Sequence, residues 1–244
     1  MTGGDPISRI SQAYPERVEV RGRDLTGDLM GRLSFTEYFH LLLTGQEPTE
    51  EQQYFLDLLL VAIAEHGMMP TNVTARMTLA ADPGSLQGAV AAGILGCGPV
   101  ILGTAEECAR VLSSGRAPLE IAREIHSAGG KVPGFGHPVH TPFDPRAERI
   151  LDLADARGVS AAHVALAREL RDAVAEVWGK PLTMNVSMPI AAVMLDLDFP
   201  SAAVKAVPIL ARTAGLLAHL AEEREQPLGF RMARAAEEAI EYER

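Results

Sequence analysis

Between residues 129 and 146 the chain places four glycines and four prolines in eighteen residues, GGKVPGFGHPVHTPFDPR. No helix or strand tolerates that density of permissive φ angles and missing N–H donors, so the segment must be a structured loop. On both sides of it, apolar residues recur at helical spacing between recognisable starts and stops. A capping box at Ser34–Glu37 opens a segment that ends at Gly45, and a second at Thr49–Gln52 opens a helix over 50–66 with Phe55, Leu56, Leu59, Leu60 and Ile63 on one face. Pro70 interrupts the pattern, which restarts at Thr71 or Asn72 and runs to Leu79. Asp82-Pro83-Gly84 then reads as a turn, with Ser85 as the cap of the next helix. That helix, LQGAVAAGILGCG, is lined with small side chains and predicts close backbone packing. Two further helices fall within 104–129, separated by Ser113-Ser114-Gly115-Arg116. Asp144 with Pro145 at the first helical position starts another, Ser160 caps one running to about Trp178, the chain restarts near Ser187, and a long helix is expected over 201–223. Residues 1–33 read as an irregular or strand-like lead-in. The total is roughly ten to twelve helices and no convincing sheet, which predicts an all-α fold.

Composition narrows the class. A chain of 244 residues makes one large domain or two interleaved smaller ones. With 47% apolar and 22% charged residues it is not a disordered or collagen-like chain. Lys plus Arg at 22 against Asp plus Glu at 32 gives 22 − 32 = −10, which argues against a broad grip on a polyanion such as nucleic acid. Only 5% of residues are aromatic, which favours closely packed helices over a β-sandwich. Cys97 and Cys108 match no CxxC spacing and read as buried reduced thiols. The N-terminus shows no secretory signal, so a cytoplasmic address is expected. Neither apolar window, 55–64 or 86–102, reads as a membrane span, and no membrane partner is expected.

Chemistry-bearing residues gather in the loop. His137 follows a Gly-Phe-Gly turn and His140 lies three residues on. As a zinc site H-x-x-H is weak without a third ligand at suitable spacing, and no metal is expected. His137 reads either as a hydrogen-bond donor or general acid, or as a structural histidine. His66 ends an amphipathic helix, where a cationic side chain suits the helix dipole, and taken alone it reads as structural. Arg212 interrupts the apolar run PILARTAGLLAHL and must be paired or meet an anionic ligand.

VPGFGH (132–137) followed by Asp144-Pro-Arg146-Ala147 resembles the signature loop of citrate synthase. RGRDL (21–25), GRLSFTEYFHLLLTGQEPT (31–49), AEHG (64–67), SLQGAVAAGILG (85–96), NVS (185–187) and ARTAGLLAHLAEE (211–223) are similar to further family segments in the same order. The compact length is more similar to citryl-CoA lyases and to the lyase module of ATP-citrate lyase. The resemblance implies an all-helical homodimer with a large dimerisation domain from 1–103 and 187–244, a small CoA-binding domain inserted at 104–186, and the helix 85–102 at the dimer interface. It implies that His66 and His137 contact the oxaloacetate or citryl moiety, that Arg146 and Arg212 bind carboxylates, and that Arg231 is donated across the dimer. Val132, Pro133, Gly134, Phe135 and Gly136 would cradle coenzyme A, bound as a thioester substrate.

Two positions depart from the family pattern. Where the synthases carry a histidine on the thioester oxygen, this chain has Ile101 or an apolar neighbour. Where they carry a catalytic aspartate in N-V-D, it has Asn185-Val186-Ser187, and an unactivated hydroxyl is not a base near pH 7. Ser187 also fits a plain helix cap, with Pro189 in the first turn. The expected activity is therefore citryl-CoA lyase-like carbon–carbon cleavage. A silent CoA- or carboxylate-binding paralogue is the alternative, and a condensing synthase ranks last.

Overall fold

A computed structural model describes residues 7–243. They divide into two compact units, one ending at Asp57 and the other beginning at Leu58.

The first unit opens with a small antiparallel meander inside the lead-in that reads as irregular or strand-like: β1 (Ser11–Ala13), β2 (Val18–Val20) and β3 (Arg23–Asp24). Gln12 stands opposite Glu19, and Glu19 opposite Asp24. Strands of two or three residues are too short for a period-2 pattern to register in sequence. Asp24 then accepts from the N–H groups of Thr26 (2.9 Å) and Gly27 (2.7 Å), capping a π-turn over Leu25–Leu29. Helix α1 (Phe35–Thr44) begins with the expected box. Ser34 Oγ accepts from Glu37 N–H at 3.3 Å, the Glu37 carboxylate accepts from Ser34 N–H at 2.6 Å, and Gly45 closes the helix at φ 83°. Val20, Leu29 and Leu41 form the buried centre of this unit. Helix α2 (Glu50–Ala64) starts with the reciprocal Thr49–Gln52 pair, at 3.2 and 2.9 Å, and continues into the second unit.

In the second unit α3 (Pro70–Ala81) starts at Pro70 itself, the proline occupying the first helical position rather than breaking the pattern. Helix α4 (Leu86–Leu95) ends seven residues short of the 102 expected, and Ser85 makes no side-chain cap. Its small residues do bring helices close, since a Cβ at Gly93 would lie 2.8 Å from a Leu216 methyl and 3.0 Å from the Thr71 carbonyl oxygen. Helix α10 (Ala206–Glu225) packs on α3 and α4, and α11 (Gly229–Ala239) packs on α3. Ala75, Leu79, Ala89, Leu216 and Leu220 fill the centre. The expected helix over 201–223 is split, with a 3₁₀ turn at Ser201–Ala203 before α10. Residues 201–225 are nonetheless the one described stretch long and apolar enough to cross a membrane by length and composition, a property the sequence reading missed. Within it Leu216 and Leu220 are fully buried in the protein core.

The rest of the unit is built on α9 (Ser187–Asp196), against which α5 (Thr104–Leu112), α7 (Pro145–Ala156) and α8 (Ala162–Trp178) all pack, while α6 (Pro118–Ser127) lies on α8. Every residue of α9 from Ser187 to Met194 is buried, the mark of a central helix. Helix α8 is not capped by Ser160, whose hydroxyl donates to Asp155 at 2.5 Å. Its N-terminus is held instead by the Asp196 carboxylate, which accepts from the N–H groups of Ala161, His163 and Val164 at 2.8–2.9 Å. Both cysteines are free; Cys108 is buried as expected, Cys97 only half-buried, and burial pushes both thiols above their usual range.

Candidate active site

The loop 129–146 is ordered by partners from the turn before α9. Gly136 N–H donates to the Thr183 carbonyl (2.7 Å), Asn185 N–H to the Gly134 carbonyl (2.8 Å), and the Asn185 side chain to the Gly136 carbonyl (3.1 Å). Gly134 sits at φ +79°, and a Cβ there would lie 2.8 Å from Cys108 Sγ and 2.9 Å from Met188 Cβ, so glycine is required on both counts. The N–H groups of Phe135 and Gly136 are spent on the Val132 and Thr183 carbonyls, inside the protein.

This folding brings His66, His137, Arg146, Ser187 and Arg212 to one cleft of about 340 Å³, together with Ile101 and Asn185. Its other wall is apolar, made by Ile63, Met69, Pro70, Val100 and Leu102, and none of its lining residues is a carboxylate. A second cleft of about 650 Å³ shares Val100, Thr104, Gly136, His137, Pro138 and Asn185 with the first. It is lined by the whole segment Val132–Gly136 and by Lys131, Trp178 and Leu182. Arg231, in the first turn of α11, is exposed and lines neither cleft.

The two arginines differ in charge balance. Arg146 is already paired with Asp144, its Nε donating at 3.0 Å and an Nη at 2.8 Å. Asp144 is fully buried and also accepts from the N–H groups of Arg146 and Val186, so one carboxylate caps α7, aims Arg146 and ties down the turn at 185–187. Burial pushes its carboxyl up, but the hydrogen bonds and charge of Arg146 outweigh that and hold it below the usual range. Arg212 is only 2% exposed, and its donors reach the Asn72 side-chain oxygen (3.1 Å) and the Ile63 carbonyl (3.4 Å). Its Nε has no partner, and among the described residues no carboxylate pairs with it. Burial pulls its pKa down from the usual value. A guanidinium left in this state is a site for an anion.

Three imidazoles meet beside it. The rings of His137 and His140 stack at 4.4 Å, and those of His66 and His137 stand edge to face at 5.2 Å. His66 Nε2 and His140 Nε2 are 3.2 Å apart. His137 Nδ1 accepts from the backbone N–H groups of Val139 (3.1 Å) and His140 (2.9 Å). The neutral ring therefore carries its proton on Nε2, which is left as a donor. Burial first, then the neighbouring imidazoles and Arg146, hold both His66 and His137 below the usual histidine value, so both are neutral at pH 7. One nitrogen from each ring lies within 4.8 Å of the others, a spacing suited to a metal ion. The third histidine is supplied by His66, seventy-one positions before His137, which adjacent spacing could not reveal. A ligating nitrogen needs a free lone pair, however, and with Nδ1 occupied and Nε2 protonated His137 has none to give. The cations Arg146 and Arg212 oppose a metal further.

Sequence reasoning passed over His140, Asp144 and Asn185 as site residues. Ser187 is not a helix cap, because the Asn185 side-chain oxygen accepts its N–H at 3.1 Å and Val186 holds the cap position without a side-chain bond.

The family described as citrate synthase, C-terminal domain, matches residues 9–235. The citrate synthase of Synechocystis is 30% identical over 201 residues, covering 79% of this chain and 50% of that protein. That of Haloferax volcanii is 28% identical over 200 residues, covering 79% and 52%. The chain thus spans about half the length of the citrate synthases it matches. The structure of citryl-CoA lyase from Hydrogenobacter thermophilus superposes with a TM-score of 0.82 at 32% identity, covering 90% of this chain and 87% of that one. ATP citrate lyase from Methanothrix soehngenii, in complex with citrate and coenzyme A, shares the fold at a TM-score of 0.80 and 20% identity, covering 100% and 42%. With its all-α fold and signature loop, the chain belongs to the citrate synthase family.

Proposed function

We propose that the chain is a carbon–carbon lyase of the citryl-CoA lyase type, cleaving citryl-CoA or a related 3-hydroxyacyl-CoA to acetyl-CoA, or another acyl-CoA, and oxaloacetate, or another 2-oxo acid. The observation that carries this reading is the buried Arg212, with no carboxylate in direct ion-pair contact among the described residues, sharing a cleft with a neutral His137. A carboxylate on Arg212 and Arg146 places the substrate's tertiary hydroxyl at His137 Nε2–H. Loss of the hydroxyl proton gives an alkoxide that collapses to the ketone. His137 donates a hydrogen bond to that oxygen throughout, and the electrons of the breaking C–C bond pass to the thioester enolate. The enolate takes its proton from water through the Ser187 hydroxyl, a weaker route than a carboxylic acid, worth about 10²–10⁴ less in rate. Under the same reading Val132–Gly136 line the coenzyme A site and residues 104–186 form the CoA-binding domain. That domain is inserted into a dimerisation domain made from 1–103 and 187–244. The active protein is a cytoplasmic homodimer in which the partner subunit's Arg231 reaches a second carboxylate.

The carboxylate-free lining of the cleft favours a second reading, ligand binding without turnover. Incubation of the purified protein with citryl-CoA, following oxaloacetate and acetyl-CoA release, separates the two. Turnover that falls at least a hundredfold in His137→Ala supports the lyase. Coenzyme A binding with no turnover of any acyl-CoA refutes it. A rise in citryl-CoA cleavage by Ser187→Asp would show that the native substrate is a different acyl-CoA.

A further inference from the structure

The cleavage proposed above needs a group to receive the hydroxyl proton, and His137 is unsuited to the task. Its Nδ1 lone pair is taken by two backbone N–H groups and its Nε2 is protonated, so it can donate but not accept. His66 also lines the cleft, but its Nε2 is turned onto His140 Nε2, 3.2 Å away, leaving Nδ1 as the ring nitrogen available to a ligand. Two imidazole nitrogens at that separation hold one proton between them, because two N–H groups or two lone pairs would repel. Whichever ring holds it fixes the other nitrogen of His66: with the proton on His66 Nε2, Nδ1 is a base.

We propose that His66 and His140 form a proton relay in which His140, behind the cleft, receives the charge released when the substrate hydroxyl ionises. The substrate O–H bond breaks and a His66 Nδ1–H bond forms. In the same movement the His66 Nε2–H bond breaks and a His140 Nε2–H bond forms. His66 ends neutral and His140 ends as the imidazolium, so no charge remains on the ring beside Arg146 and Arg212. Both arginines oppose a cation at His66, with Asp144 only partly offsetting them. His140 does not line the cleft, touches no substrate in this scheme and acts through His66. Its ring is held against His137 by the 4.4 Å stack, and its carbonyl accepts from the Thr183 hydroxyl at 3.2 Å.

The proposal rests on the lyase reading but is testable apart from it. In citryl-CoA cleavage, His140→Gln should lose about 10²–10⁴ in kcat. KM should stay within about threefold, and free imidazole should restore part of the rate to His140→Gly. A His140→Gln enzyme with kcat within about threefold of the unmodified protein overturns the relay and leaves the lyase reading intact. If the unmodified protein shows no turnover, the lyase reading fails and the pair is judged by imidazole ¹⁵N NMR at neutral pH. Opposite tautomers for His66 and His140, one Nδ1–H and one Nε2–H, support the shared proton. The same tautomer on both rings refutes it.

Discussion

Arg212→Met should make the ligand-free protein more stable while removing its affinity for carboxylates. The arginine is 2% exposed, carries an unpartnered Nε and pairs with no carboxylate among the described residues. Methionine fills a similar volume without a charge. Relief of a buried unsatisfied donor is worth about 1–3 kcal/mol. Against this stands the lost bond to Asn72, about 0.5–1.5 kcal/mol, whose oxygen keeps its bond from the Thr71 hydroxyl at 3.1 Å. The 3.4 Å contact to the Ile63 carbonyl is weaker still. The net gain is about 0.5–1.5 kcal/mol, or roughly 1–6 °C in Tm for a chain of this size. The unmodified protein should in turn gain about 2.7 kcal/mol from oxaloacetate at a hundred times its Kd, and the variant nothing. Differential scanning fluorimetry with and without oxaloacetate reads both effects. A variant that melts lower than the unmodified protein and is still stabilised by oxaloacetate would refute the assignment of Arg212 as a carboxylate site.

Asp144 offers a contrasting pair of substitutions. Asp144→Ala removes a helix cap, the partner of Arg146 and the acceptor for Val186 N–H, and should cost about 3–5 kcal/mol in urea unfolding. Asp144→Asn keeps the cap and one acceptor and should cost less than half as much; equal losses would mean that the charge, not the cap, governs the site. The pH dependence follows from His66 and His137, whose folded pKa values lie below those of the unfolded chain, so the unfolded chain binds more protons at mildly acidic pH. Stability from these groups is complete above about pH 6.5 and is lost as the pH falls below it. Melting curves between pH 5 and 8 should show that slope, and His66→Asn should flatten it.

Local punctuation was legible from sequence. The boxes at Ser34–Glu37 and Thr49–Gln52 and the Asp144-Pro145 start are self-contained within four residues, so pattern alone reveals them. Ser160 looked equally good as a cap, yet the donors at the start of α8 are taken by Asp196, thirty-two or more positions later in the chain. Competition between a near hydroxyl and a distant carboxylate leaves no trace in local sequence. The candidate site divides in the same way. His66, His137, Arg146, Ser187 and Arg212 could be picked out by resemblance, and these five meet in one cleft. His140 could not, because its significance arises from His66, which only tertiary folding brings within 3.2 Å. Asp144 was visible as a cap but not as the clamp on Arg146, since both roles use the same carboxylate.

Helix α9 starts at Ser187 and is enclosed on every side as far as Met194. An α-helix turns about 100° and advances about 1.5 Å per residue, so a one-residue slip would drive the wrong side chains into α5, α7 and α8. Position 187 is therefore held like the end of a clamped ruler. Its direction into the cleft cannot be adjusted by loop movement, insertion or repacking without disturbing the centre of the unit. Divergence of chemistry at this point must come by exchanging the side chain in place.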